Sequence, residues 1–279
     1  MKSKPSILDH KRSKNTPVFQ NLTVVSNEKL APDIYRLRLA VEDLGTNYQP
    51  GQFAMLRLCH GEGSVLPRPY SIHWAEKNLI EFLYKVYGKG SAGISRLRPN
   101  ELVSVLGPLG NSFTTSLADE IILVAGGIGI APFVYLVDQY FKNKRVMLFT
   151  GNQNKSQVIL TDVFSKMSVK VIHATDDGSV GVHGLITDVF KDYLENINDS
   201  KTREIFVCGP KQMEIKVAKI CADYHMQAQF AMEEYMACGM GVCMGCVIPC
   251  QCHEEKNYKR VCIEGPVFYG HEICWDEMS

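Results

Sequence analysis

Charge of one sign is what this chain lacks: 30 Lys and Arg stand against 30 Asp and Glu over 279 residues, a formal net charge of zero. Nucleic-acid binding calls for a basic domain or stripe, and none is visible, so that class is set aside. No window carries the uninterrupted apolar run that a bilayer-spanning helix demands. Residues 1–17 are polar and Lys/Arg-rich with no apolar stretch behind them, which reads as neither signal peptide nor anchor. A solvated tail is expected there, with a docking arm for a partner as the alternative. Internal repeats and low-complexity segments are missing too. Outside one region, cysteines at paired spacing are also missing: of ten, six fall between Cys238 and Cys262 and four are scattered. That distribution points to metal chemistry in a reducing, cytoplasmic compartment and away from a disulfide framework.

The length suits about two ordinary domains and a small appendage. Residues 18–115 show short runs of period-two alternation at 20–26, 34–40, 52–58, 68–73, 79–86 and 102–106, broken by Asp43, Gly45, Asn47, Pro50 and Gly51. Six such strands predict an antiparallel barrel, interrupted by a short helix over 91–96. From 116 to 232 the grammar changes. Continuous apolar runs at 120–125, 145–150, 170–174, 204–207 and 227–232 alternate with helical patterns near 131–142, 160–167, 185–194 and 211–225. Strands buried on both faces, alternating with helices, predict a doubly wound parallel sheet. Residues 233–279 form the third piece, so the fold class is multidomain β plus α/β.

The densest motif lies in that third piece. Cys238-Gly-Met-Gly-Val-Cys243-Met-Gly-Cys246 is followed, after fifteen residues, by Cys262. This C-x4-C-x2-C spacing with one distant fourth thiol is that of a plant-type 2Fe-2S cluster. Gly239, Gly241 and Gly245 are expected to supply the positive φ that a tight ligand loop needs. Structural zinc competes, since Cys243-x-x-Cys246 is also half of a zinc knuckle, but the second half here is a single Cys. Disulfides or idle thiols are the remaining alternative. Neither His253 nor His271 has the Cys-x-His spacing of a Rieske centre. Cys250, Cys252 and His253 are expected on a loop between the third and fourth ligands without an essential role; a ligand swap is the sharper alternative.

Other motifs suit nucleotides. Gly126-Gly127-Ile-Gly129-Ile-Ala-Pro132 puts a glycine turn after a buried strand, with Pro132 where a helix would begin. The amides of such a turn, with room left by missing side chains, suit a pyrophosphate; a turn that binds nothing is the competing reading. Cys208-Gly209-Pro210 repeats the pattern after a later strand, and both turns are expected to face one crevice at the carboxyl ends of the strands. Cys208 is either a small buried residue or a nicotinamide contact. Asp176 and Asp177 are expected to cap a loop, with a ribose contact as the alternative. In the barrel, Arg68-Pro69-Tyr70-Ser71 offers a planar cation for a phosphate and a flat phenol for a ring. Leu83-Tyr84-Lys85 and the turn Gly88-Lys89-Gly90-Ser91 follow it; ordinary edge-strand decoration is the alternative for each.

The order of these motifs resembles the ferredoxin-NADP reductase superfamily. There an Arg-x-Tyr-Ser strand binds FAD, a G-x-G-[ST] turn holds its pyrophosphate, and Gly-Gly-x-Gly-x-Ala-Pro with Cys-Gly-Pro receives the nicotinamide. Met236-Ala-Cys238 through Cys246, then Tyr258-Lys-Arg-Val-Cys262 and Gly265-Pro266-Val267-Phe268, resembles the electron-transfer subunits of the NAD-dependent (class 1B) dihydroorotate dehydrogenases. The resemblance implies that Arg68, Pro69, Tyr70, Ser71, Leu83, Tyr84, Lys85, Gly90 and Ser91 contact FAD. Gly126, Gly127, Gly129, Cys208, Gly209 and Pro210 would then serve NAD, and Cys238, Cys243, Cys246 and Cys262 hold the cluster. Lys85 stands where an Arg is common and Ser91 where a Thr is common, both compatible with phosphate binding. The segment Cys250-Gln-Cys252-His253 departs from the pattern.

The chemistry this implies is a relay: single electrons reach the cluster, collect on FAD and leave as hydride to NAD. An FMN-bearing β/α barrel needs about 250 residues, for which the chain has no space. A separate catalytic subunit is therefore expected, docked at the face around the cluster, by resemblance in a heterotetramer of two of each. The runner-up is a flavin and iron-sulfur subunit of a hydrogenase or a ferredoxin-linked transhydrogenase. In one such relative the first ligand is Asp, and Cys238 occupies that place here. A redox-sensing module without hydride transfer is the alternative from another class. Asn152 and Gln153 follow the second parallel strand where an NADP enzyme would be expected to place an Arg, which favours NAD.

Overall fold

The computed structural model describes residues 16–41, 48–59, 66–252 and 255–278. Residues 1–15 of the expected tail, His253 and the side chain of Cys252 lie outside them. The barrel comprises β1 (Val18–Ala31), β2 (Ile34–Ala40), β3 (Phe53–Leu58), β4 (Arg68–Glu76), β5 (Leu79–Lys85) and β6 (Leu102–Leu109), closed in the order β1-β2-β5-β4-β3-β6. Alternation drives the closure: Leu37 and Leu39 of β2, Ile80 and Phe82 of β5 and Val103 and Val105 of β6 all point into one core. β1 runs five residues past its expected end because bulges between Val24 and Ser26 and between Lys29 and Ala31 let it keep pairing with β2. The short helix α1 (Lys89–Ile94) starts two residues earlier than expected.

The second unit is a seven-stranded sheet. Its parallel strands are β7 (Glu120–Gly126), β8 (Arg145–Asn152), β9 (Lys170–Thr175), β10 (Val182–His183), β11 (Arg203–Cys208) and β12 (Gln227–Ala231). Every residue of β7 is buried, as the run Ile121-Ile-Leu-Val-Ala125 implies for a central strand. The helix expected over 131–142 arrives in pieces: a 3-10 turn at Gly127–Ile130, the short α2 (Phe133–Leu136), then a π-helical turn at Val137–Phe141. Three further helices follow: α3 (Thr161–Lys166), α4 (Ile186–Glu195) and α5 (Lys211–Asp223).

The carboxyl-terminal segment contains β13 (Val247–Cys252), β14 (Glu255–Arg260) and β15 (Val267–Tyr269). β15 pairs antiparallel with β12 and completes the sheet in the order β10-β9-β8-β7-β11-β12-β15. Asn111, just past the barrel, ties this segment down: its side chain donates to the carbonyls of Glu264 (2.9 Å) and Val267 (2.8 Å) and accepts from the Val267 amide (2.9 Å). Met55 and Leu109 from the barrel share one core with Phe230 of the sheet and Cys246, Ile248 and Cys262 of the tail segment.

The expected loop around Cys250 is instead a hairpin, β13 against β14. Cys250 is fully buried in the shared core and bridges to Ile273, a placement that suits a small apolar residue. The alternation of Ile248 and Cys250 is a strand pattern that Pro249 and the neighbouring polar residues disguise.

Candidate functional site

A crevice of about 820 Å³ opens between barrel, sheet and tail segment. The start of β4 lines it with Arg68, Pro69, Tyr70 and Ser71, the end of β5 with Leu83, Tyr84 and Lys85, and the following turn with Gly88, Gly90 and Ser91. Tyr70 stands edge-on to Tyr84, ring centroids 5.5 Å apart. Burial pushes the Tyr70 phenol up to about 12 against the opposing pull of Arg68, so at neutral pH it presents a neutral flat face. Tyr84 donates to Asn27 Oδ1 at 3.0 Å. The turn is tied by its own serine: Ser91 Oγ accepts from the Tyr87 amide (2.9 Å) and the Gly88 amide (3.3 Å).

The facing wall comes from the sheet. Cys208 and Gly209 line the crevice with Ile128, Ala131 and Lys211, whereas Gly126, Gly127, Gly129 and Pro210 are not part of its lining: Gly126 and Gly129 are buried, Gly127 is half-buried and Pro210 is exposed. The two glycine turns pack on each other. A Cβ on Gly129 would run into the Cys208 carbonyl, and one on Gly126 into Pro210 and Met213. Gly127 is different, with φ +52° and open space where a side chain would go. Cys208 is buried, and burial pushes its thiol well up, with Glu233 and Glu214 adding to the effect. Asp177 holds its loop, accepting from the Ser179 hydroxyl (2.6 Å) and amide (2.9 Å), which keeps its carboxyl low.

Sequence reading missed several lining residues: Tyr87, Lys211, Glu214 and the run Glu233 to Met236. Glu214 is 1% exposed and accepts from the Gly209 amide at 3.3 Å. Burial, then the neighbouring Glu233, push its carboxyl well above the ordinary range. Glu233 is reachable from the open crevice but walled by protein, and that loss of surrounding water raises its carboxyl too. Lys211 and Glu234 form an ion pair of 2.8 Å. A signal existed: residues 233–236 follow the carboxyl end of β12, the same position in the sheet that drew attention to Gly126 and Cys208.

The four thiols come together as two pairs. Cys238 Sγ lies 3.3 Å from Cys243 Sγ, and Cys246 neighbours Cys262. A binuclear cluster takes two thiolates per iron, so the donor set fits it. Among the described residues, no three Cys, His, Asp or Glu side chains form a group suited to a single metal ion. The amides of Met240 (3.4 Å) and Cys243 (3.5 Å) point at Cys238 Sγ. Burial raises that thiol, but these amides, the hydrogen bond to the Cys243 thiol and the Val242 amide outweigh it and bring it to about 6. Gly239 (φ +68°) and Gly241 (φ +76°) have the expected backbone, but Gly245 does not; Met244 takes the left-handed position at φ +57°. Met236 in the crevice wall is two residues from Cys238, about 7 Å of extended chain at most.

Barrel, crevice and parallel sheet make this a flavin-dependent oxidoreductase of the ferredoxin-reductase class with an iron-sulfur domain added. Residues 21–113 match the family model of the oxidoreductase FAD-binding domain and residues 123–219 that of the oxidoreductase NAD-binding domain. Residues 233–274 match the iron-sulfur cluster binding domain of dihydroorotate dehydrogenase B. Two curated relatives are both dihydroorotate dehydrogenase B (NAD(+)) electron transfer subunits. The one from Desulforamulus reducens is 33% identical over 251 residues, 88% of this chain and 95% of the relative. The one from Clostridium acetobutylicum is 36% identical over 251 residues, 90% and 95% of the two chains. A solved NADH-dependent reduced ferredoxin-NADP oxidoreductase superposes with a TM-score of 0.80 at 26% identity, covering 92% of this chain and 91% of that one.

The chain belongs to the family of dihydroorotate dehydrogenase B (NAD(+)) electron transfer subunits. It is an oxidoreductase of FAD, an iron-sulfur cluster and NAD, and the name its relatives share implies a catalytic partner subunit for them. Among the described residues no helix is long and apolar enough to cross a membrane.

Proposed function

We propose that this subunit takes electrons from the FMN of a dihydroorotate-oxidising partner in the cytoplasm, in an assembly of two copies of each, and delivers them to NAD during pyrimidine biosynthesis. The single observation that supports this route best is the short step from Met236 to Cys238, which brings the first thiol of the quartet close to the wall of the crevice. The cluster supplies one-electron steps, and the flavin converts them to hydride chemistry.

In this reading residues 18–115 carry FAD, 116–232 NAD and 233–279 the cluster. Cys238, Cys243, Cys246 and Cys262 hold the two irons. Arg68 and the turn at Gly90 and Ser91 hold phosphate oxygens, through a planar cation and backbone amides. Pro69, Tyr70, Ser71, Leu83, Tyr84 and Lys85 frame the ring system and its linker. Cys208, Gly209 and Pro210 present the nicotinamide end, with Gly126, Gly127 and Gly129 forming the turn that packs against them. The partner's contact is the uncharged rim of the ligand loop, where Met240, Val242 and Met244 stand exposed beside Cys243.

A tagged chain purified anaerobically tests this reading. Iron, FAD and an FMN-containing partner should come with it, and the complex should reduce NAD with dihydroorotate. A chain that carries both cofactors but copurifies with a hydrogenase subunit, and gives no turnover with dihydroorotate, would overturn the assignment.

A further inference from the structure

Arg260 ends β14 two residues before the fourth cluster ligand, and its side chain reaches back across the ligand loop. Its Nη1 donates to the Gly241 carbonyl at 3.0 Å, between Cys238 and Cys243. Its other edge is gripped by Glu264: Nε donates to Oε2 at 3.0 Å, Nη2 to Oε1, and the Arg260 amide donates to Oε2 at 2.7 Å. The Arg260 carbonyl in turn accepts from the amides of Ile263 (3.1 Å) and Glu264 (2.9 Å), closing the turn that bears Cys262. A Cβ on Gly241 would meet Ile263 and approach Arg260 Nη1, so the loop is folded tightly onto this cation. Bidentate pairing with a carboxylate fixes both the plane and the position of the charge, which a lysine at the end of a flexible stem would not match.

We propose that Arg260, oriented by Glu264, is a positioning residue of the iron-sulfur centre: it ties the loop of the first three ligands to the turn of the fourth and sets a fixed positive charge between them. The inference rests on the thiol quartet holding the cluster. Accepting one electron makes a cluster more negative, so a fixed cation beside it favours the reduced form and raises its potential. Glu264, by partly neutralising that cation, acts in the opposite direction. The two residues therefore have opposite electrostatic effects although they belong to one hydrogen-bonded unit, which separates this role from plain structural support.

The test uses the intact holoprotein, with the cluster followed by electron paramagnetic resonance during an anaerobic redox titration. Iron content and the rate of iron release to a chelator are measured in parallel. In Arg260→Gln the oxidised-to-reduced ratio, at the potential where the wild type is half reduced, should rise about tenfold, roughly 59 mV for a one-electron couple. In Glu264→Gln the ratio should move the other way. Arg260→Lys should keep most of the potential but release iron several-fold faster, because the tie to Gly241 is lost. Potentials unchanged in both glutamine variants, or shifted in the same direction in both, would overturn the inference. Should Arg260→Gln hold no iron, Glu264→Gln and Arg260→Lys decide the matter: a lower oxidised-to-reduced ratio in the first with faster iron release in the second supports the inference, and an unchanged or higher ratio in the first overturns it. Absence of iron from the wild type would instead contradict the cluster itself.

Discussion

His73 of β4 and Ala131, beyond the first glycine turn, are joined by a hydrogen bond of 2.6 Å that crosses from the barrel to the sheet. The Ala131 carbonyl can only accept, so the buried imidazole donates from Nδ1. Burial holds His73 below its ordinary value, in spite of that bond and of Glu81. A histidine with a lowered folded value contributes fully above the unfolded value of about 6.5, and stability is lost as pH falls below it. Thermal unfolding between about pH 7.5 and 5.5 should show this acid loss in the wild type. His73→Asn, which keeps a donor but does not titrate, should flatten the profile, and His73→Ala should cost about 1–3 kcal/mol throughout. An unchanged acid slope in His73→Asn would rule out His73 as its source.

Glu214 gives the reverse sign. Its carboxyl is raised above the ordinary 4.5, so the folded state keeps a proton that the unfolded chain gives up. That contribution is present below about 4.5 and is lost as pH rises towards the folded value. Glu214→Gln imitates the protonated form and should be more stable than the wild type at neutral and alkaline pH, with the gap closing towards pH 4.5. Glu214→Ala strands the Gly209 amide and should lose about 1–3 kcal/mol. Denaturant melts across pH would show both, and a Gln variant that gains nothing at alkaline pH would contradict the buried neutral carboxyl.

Gly129 has no room for a methyl group because the Cys208 carbonyl stands in its place. Gly129→Ala should force the two turns apart at a cost of about 1–3 kcal/mol. Its effect should fall on NADH: bleaching of the flavin slows or needs more NADH, while FAD and iron contents stay at wild-type levels. Stopped-flow reduction beside cofactor analysis checks this, and wild-type bleaching kinetics would contradict it.

Arg68 and Tyr70 should matter for FAD alone. Loss of a charge-assisted contact costs about 1.5–3 kcal/mol, on the order of 10- to 150-fold in affinity. Arg68→Ala and Tyr70→Ala should therefore leave gel filtration with less FAD per iron than the wild type. Equal loss of both cofactors would mean unfolding of the crevice instead.

The barrel and the sheet were legible in the sequence because their periods differ: Leu37 and Leu39 alternate with polar neighbours, whereas residues 121–125 are apolar throughout. The spacing of Cys238, Cys243, Cys246 and Cys262 already suggested that these thiols lie near one another, as the pairs Cys238–Cys243 and Cys246–Cys262 do. Partners distant in the chain were not legible. β15 is three residues long, too short for any period, and its place beside β12 is fixed by Asn111 more than 150 positions away. Glu233 and Tyr235 belong to no glycine motif, and only the end of β12 reveals that they reach the crevice. The spacing of Gly126 and Gly129 marks a turn, but only the structure shows what their missing side chains accommodate, which is the neighbouring Cys208–Pro210 turn and helix α5.

Electron flow through the quartet is tested most directly by Cys238→Ala in the reconstituted complex, with dihydroorotate as reductant and NADH formation as the readout. The expected result is no NADH from dihydroorotate, while added NADH still bleaches the flavin of the same variant. NADH formation at the wild-type rate in a variant shown to lack the cluster would contradict the route proposed from Cys238 to the crevice.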